Sequence, residues 1–219
     1  FAMLAEVSTG LVSNVTNNGK VTMDINEAPG NTDAIIAAGI VAEADADIVN
    51  CHNNGEITIN SAEGLEASLA AGICGYAATK VTDCTNSGKV SQNSTHMIAA
   101  FCTYKGIAKV PQHTGGIVAM TKKGSLVENC TNTGNIVLNM TAIEKITSSV
   151  GTNRVRIAGI VGAARGDIKG CTNKGQIECY ARTSTRDAMT TLNDKNYSVS
   201  PGGITGGMMD YGSAEDVGM

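Results

Sequence analysis

The segments GGIVAM at 115–120 and VENCTNTGNI at 127–136 decide how this chain folds, because both recur along it. The second block is found as SNVTNNGKV at 13–21, VNCHNNGEI at 49–57, TDCTNSGKV at 82–90, ENCTNTGNI at 128–136 and KGCTNKGQI at 169–177. The first is found as AAGIVAEA from Ala37, AAGICGYA from Ala70, TGGIVAMT from Thr114, IAGIVGAA from Ile157 and PGGITGGM from Pro201, with a worn relative, FAMLAEV, at Phe1. Its second glycine falls at Gly39, Gly72, Gly116, Gly159 and Gly203, at spacings of 33, 44, 43 and 44 residues. Self-similarity at such a period marks an array in which each copy is one unit stacked on its neighbours.

From this glycine to the Asn-x-Gly turn the length is nearly constant. Almost all variation falls after the Gly-x-Ile/Val strand, which is the pattern of a constant coil carrying a loop of variable length. The copies run approximately 1–37, 38–70, 71–114, 115–157, 158–201 and 202–219, within a single domain. The first lacks its Gly-Gly start and the last stops before its Cys-Thr-Asn, so the chain reads as a window from a longer array.

The constant part is extended, not helical. Gly-Ile-Val, Ile-Val-Asn-Cys and Gly-Glu-Ile-Thr-Ile are alternating or β-branched runs punctuated by Gly and Asn-Gly. The expected fold is all-β, a right-handed parallel β-helix (solenoid) with about one coil per 33–44-residue repeat and variable insertions from one corner. Two coils per copy is the competing count. Three short strands and three corners per coil are expected, with Asn and Gly of the Asn-x-Gly turn supplying positive φ at a corner. Aromatic residues make up only 3% of the chain, which suits a narrow interior filled by Ile, Val, Leu, Ala and Cys.

In-register stacking turns each repeated letter into a column. Asn17, Asn53, Asn86, Asn132 and Asn173 are expected to form an inward amide ladder that satisfies buried polar groups between coils. Gly19, Gly55, Gly88, Gly134 and Gly175 follow them in the turn. Val15, Cys51, Cys84, Cys130 and Cys171 are expected to form an inward column of small apolar side chains, the cysteines as free thiols. Thr16, His52, Thr85, Thr131 and Thr172 should point outward.

The long segments after the last strand of copies three, four and five should emerge side by side as a rim or small accessory sheet. His96, Tyr104, His113, Tyr180, Arg182 and Arg186 are the candidate binding residues there, in segments that also hold Phe101, Tyr197, Arg154 and Arg156. Loops on a repeat scaffold commonly carry function; the plainer reading is that they cover one flank.

Other chemistry is sparse. A net charge of −4 with no basic cluster argues against nucleic acid. No apolar run is long enough to span a bilayer. The Cys spacings are repeat spacings rather than zinc spacings, and the unrepeated Asp45-x-Asp47 reads as a solvated turn rather than a calcium site. No catalytic motif is present, and Glu27, Asp83, Glu128, Asp167 and Glu178 scatter through turns. The single Thr column, broken by His52, is a poor ice-binding face. Neither cofactor nor metal is expected.

The consensus Gly-Gly-Ile-Val-Gly…Ile-x-Asn-Cys-Thr-Asn-x-Gly-x-Ile resembles the GLUG-type repeat of bacterial surface proteins, found beside the peptidase domain of immunoglobulin-A1 proteases and in large adhesin-like proteins. The likeness is best at GGIVAM with VENCTNTGNI and at AGIVGAA with GCTNKGQI. It implies a scaffold and no peptidase activity, since the protease zinc motif is absent from this sequence. The expected function is a non-catalytic, adhesin-like β-solenoid segment, extracellular or on the bacterial cell surface. Its expected partners are a host protein or glycan and the neighbouring repeats of a parent chain. A polysaccharide lyase or hydrolase of β-helix fold is the alternative, and a plain spacer a third reading.

Overall fold

A computed structural model of the chain describes residues 2–26, 34–61, 68–96, 103–104, 107–108, 112–143, 153–183 and 197–207. It is a parallel β-solenoid with one coil per copy. Val90 pairs with Ile57 on one side and with Ile136 on the other, so adjacent copies are adjacent coils and the two-coil count falls.

Each full coil carries five short strands rather than three, and these stack into five five-stranded parallel walls. Wall A holds Ile35–Ala38, Ser68–Ala71, His113–Gly115, Asn153–Ala158 and Tyr197–Gly202. Wall B holds Ala5–Ser8, Val41–Ala44, Cys74–Ala77, Val118–Thr121 and Val161–Ala163. Wall C holds Val12–Ser13, Ile48–Val49, Lys80–Thr82, Leu126–Glu128 and Asp167–Lys169. Wall D holds the two-residue strands Thr16–Asn17, His52–Asn53, Thr85–Asn86, Thr131–Asn132 and Thr172–Asn173. Wall E holds Val21–Ile25, Ile57–Ser61, Val90–His96, Ile136–Ile143 and Ile177–Thr183. The sequence reading merged C and D because one residue, not a recognisable turn motif, separates the corner from the Cys.

That residue makes the sharp corner. Asn14, Asn50, Asp83 and Asn129 have φ between 51° and 57°, and Gly170 has φ 60°. Asn, Asp and Gly are the residues that occupy the left-handed region at least cost, so the position immediately before Cys is restricted to them. This corrects the expectation that the Asn-x-Gly turn supplies the positive φ. The turn glycines serve close stacking instead: a Cβ on Gly88 would lie 2.0 Å from the Gly55 carbonyl oxygen.

The interior divides into two apolar lobes. One joins walls B and C around Ile40, Val41, Ile48, Ile73, Val81, Ile117, Val127, Ile160 and the cysteines. The other joins walls A and E around Ile57, Ile59, Val90, Ile136, Leu138, Val155 and Ile157. Each fully buried Ile or Val contributes roughly 1.5–3 kcal/mol of transfer free energy, and each column repeats it coil by coil.

Between the lobes is a waist, where the second glycine of the Gly-Gly-Ile block faces the amide ladder. A Cβ on Gly72 would sit 2.2 Å from the Gly116 carbonyl oxygen and 2.4 Å from Cγ of Asn86. Gly39 against Asn53 and Gly116 against Asn132 repeat the contact. The first residue of the pair, Ala or Gly, points the other way, into an arch where the outer faces of walls A and B close on each other. Ile36, Leu69, Ala71, Tyr76, Ala119, Met120 and Ala163 form a third apolar cluster there. The arch closes because wall B offers the small row Ala42, Gly75, Ala119, Gly162 and Gly206; a Cβ on Gly75 would lie 2.1 Å from Cγ2 of Ile36.

Gly72→Ala should therefore destabilise the protein by about 3 kcal/mol or more, since neither the Gly116 backbone nor the buried Asn86 amide can give way. Gly10→Ala, where nothing lies within 4 Å, should change stability by less than about 0.5 kcal/mol. Urea midpoints of the two variants check this pair; equal midpoints would remove the waist from the account.

Candidate functional site

Two features dominate: the columns on walls D and E, and the corner between walls E and A. The inner Asn column is continuous. Asn17 donates from Nδ2 to Asn53 Oδ1 at 2.7 Å, Asn53 to Asn86 at 2.7 Å, Asn86 to Asn132 at 2.7 Å and Asn132 to Asn173 at 2.8 Å. The second Nδ2 proton of Asn53, Asn86, Asn132 and Asn173 goes to the carbonyl of the turn glycine, Gly55, Gly88, Gly134 and Gly175, at 2.8–3.0 Å. At the first coil the Gly19 N–H donates to Asn17 Oδ1 at 2.9 Å. Asn53, Asn86 and Asn132 thus each bond the coil above, the coil below and their own turn.

The thiol column lies in the adjoining lobe. Cys51, Cys84 and Cys130 are fully buried, and Cys171 is half-buried, with Val15 packed against them. Each thiol donates to the carbonyl two residues before it, on Val49, Thr82, Glu128 and Lys169, at 3.2–3.4 Å. The six described cysteines are free. Hydrogen bonding to the Cys84 thiol and burial hold Cys51 protonated, well above the usual thiol range, and burial does the same for Cys74. Within the column, hydrogen bonding to neighbouring thiols pushes Cys130 up as well and pulls Cys84 down to about 4 and Cys171 down to about 7; the packing role rests on the full burial of Cys51, Cys84 and Cys130 and on Val15 filling the same place in the first coil.

The outward column stacks in register, with His52 Nδ1 2.8 Å from Thr85 Oγ1. Beside it run amide columns that the repeat consensus did not single out. Asn54 donates to Asn18 at 2.8 Å, with Ser87 donating to Asn54 at 2.7 Å. On wall E, Asn60 donates to Asp24 at 2.7 Å and Asn93 to Asn60 at 2.8 Å. Asp47 of the Asp-x-Asp pair accepts the Lys80 backbone N–H at 3.1 Å, which ties one coil to the next.

Every variable segment leaves wall E and returns to wall A. In coils three to five the stems stay paired: His96 lies beside Ala142, Ile143 beside Thr183, and Asn153 and Arg154 beside Tyr197 and Ser198. Within the third segment, Thr103–Tyr104 pairs antiparallel with Ile107–Ala108. His96, Tyr180 and Arg182 therefore sit in wall E, on coils three and five, and Tyr104 in that short hairpin. Tyr180 is 49% exposed and donates to Glu178 Oε2 at 3.0 Å. Arg186, Glu27 and Phe101 lie outside the described residues. His113 and Arg156 do not belong to a rim: they are paired neighbours in wall A, 0% and 3% exposed, on its arch face. The Gly-Gly block begins right after them, so in the sequence they look like the end of an insertion when they are already strand.

Inside the second lobe, Ser68 donates to Gln92 Oε1 at 2.5 Å, and Gln92 Nε2 donates to the His113 carbonyl at 2.8 Å. Among the described residues no three His, Cys, Asp or Glu side chains gather around a common point, and no helix is long and apolar enough to cross a membrane. Comparison with family models, with curated proteins and with solved structures finds no match to the chain.

Asn86→Ala removes bonds to two coils and a turn and strands buried partners. It should cost about 2–4 kcal/mol, against less than about 1 kcal/mol for exposed Asn54→Ala, both read from urea midpoints. Titration with a thiol reagent should find Cys51, Cys84 and Cys130 slow to react in the native chain and all seven thiols free in the denatured chain; a denatured chain without free thiol contradicts the column.

Proposed function

We propose that the chain is a non-catalytic segment of a bacterial secreted or cell-surface β-solenoid, an adhesin-like scaffold that presents a binding surface to a host or matrix protein or glycan. One observation carries this reading: the variable segments leave consecutive coils at the same corner, and their stems remain paired in walls E and A. A repeating frame thus fixes where the least repetitive parts of the sequence leave it and re-enter it. Loops so positioned are where recognition concentrates on repeat scaffolds. The likeness of the consensus to GLUG-type repeats of surface proteins agrees with this. Two carboxylates of the described coils have structural partners: Asp47 ties the next coil, and Asp167 pairs with Lys169 on the surface at 3.3 Å.

The second copy is a natural control, because it joins Ser61 to Ser68 with the short segment 62–67. Replacing residues 95–111, 141–154 and 182–198 by the sequence of 62–67 should leave circular dichroism and the melting transition intact, and should abolish binding on glycan and host-protein arrays. Binding that survives the replacement moves the ligand to the column faces. Release of reducing ends from any arrayed polysaccharide by the unaltered chain replaces the scaffold reading with the enzymatic one.

A further inference from the structure

The row of wall A that faces the arch changes character along the axis. It reads Ile36, Leu69, His113, Arg156 and Ser200, each paired with the next. In coils two and three the row is apolar and packs in the third cluster. In coil four it becomes an imidazole that is 0% exposed, with neither Nδ1 nor Nε2 in a hydrogen bond of full geometry and only the Gln112 backbone acting to favour its protonation, less than burial and Arg156 oppose it. In coil five it becomes Arg156, paired with His113 on the adjacent strand at the ~4.8 Å backbone spacing of a sheet. The arch is tight against this rung, since a Cβ on Gly206 would lie 2.9 Å from Cβ of Arg156 and one on Gly207 2.7 Å from its Nε.

The other described elements packed around the ring offer no counter-charge to an imidazolium. Ser68–Ala71 contributes Leu69, and Val118–Thr121 and Val161–Ala163 contain no titratable side chain. In Cys74–Ala77, burial holds Cys74 protonated and pushes Tyr76 up to about 12. Arg165, just past wall B, adds a second positive charge that acts on Tyr76. Glu43 is the nearest acid on wall B, two coils away in the row Glu43–Tyr76–Met120. A buried charge without a compensating partner is costly, and a like charge on the next rung adds to that cost.

We propose that His113 is an acid sensor: on protonation the arch between walls A and B opens in coils four and five, while coils two and three, with Ile36 and Leu69 in the same row, stay closed. Burial first, and Arg156 second, hold the ring neutral, with its pKa down to about 3 against 6.5 in the unfolded chain. The neutral ring costs nothing extra above pH ~6.5, and the stability it permits is lost progressively as pH falls from there toward 3. The stems of the third and fourth insertions enter wall A in these coils, so acidification acts on the segments just before His113 and Arg156.

Hydrogen exchange of the full chain at pH 8 and pH 5, corrected for intrinsic rates, tests this. The opening equilibrium of peptides spanning 112–121 and 153–165 should rise roughly thirty-fold at pH 5, and that of 34–44 and 68–77 should not change. His113→Leu, which restores the residue of the preceding rung, should abolish the rise. Arg156→Gln should shrink it by lifting the like charge, and His52→Gln should leave it whole. No acid response in the unaltered chain, or a full response in His113→Leu, overturns the proposal.

Discussion

The structure rests on a place where a side chain is missing. At the waist of each coil the backbone of the Gly-Gly-Ile block touches the amide of the Asn ladder, with no room for a methyl group between them. The contact fixes the distance between the two lobes and hence the cross-section of the coil. It also fixes register: a one-residue slip would bring a β-branched side chain against the amide and turn every inward residue outward. The amide answers by bonding upward, downward and into its own turn. Glycine and asparagine are thus halves of one device, although some fourteen residues separate them in the chain.

Around the waist, each remaining peculiarity has a local cause. The left-handed residue before Cys turns the chain from wall C into wall D. The thiol behind it is small enough to lie beneath its counterpart and close enough to bond its own backbone. The small row of wall B lets the arch close, which hides an outer face that would otherwise need a partner. A coil built this way takes up most of its length change at the corner between walls E and A, with two further residues absorbed between walls B and C in the fourth coil, where Met120 to Leu126 faces Ala163 to Asp167.

The columns were legible in the sequence because in-register stacking converts recurrence directly into position. The Asn and Cys ladders, the outward Thr column and the insertion corner follow from counting alone. What stayed hidden involved contacts that recurrence does not encode. Positive φ was assigned to the Asn-x-Gly turn because glycine there suggests conformational freedom, whereas those glycines answer to stacking. The alternation Asn, Asn, Asp, Asn, Gly before the cysteine was the available signal, since these residues share tolerance of the left-handed region and little else. The arch was invisible because both its faces look like ordinary strand exteriors. His113 and Arg156 were therefore placed on a rim, by their polarity, when they are among the least exposed residues of the molecule.

The pitch of the solenoid has a mechanical meaning. A coil advances the rod by only ~4.8 Å, the spacing between paired strands, yet contains 33 to 44 residues of chain. Pulled straight, those residues span roughly 110–150 Å at ~3.4 Å each. A load that peels one coil from its neighbour therefore lengthens the molecule more than twentyfold over the stretch released, while the coils beyond keep their shape. The released length is thus set by the residues in a coil, and not by the height of the coil.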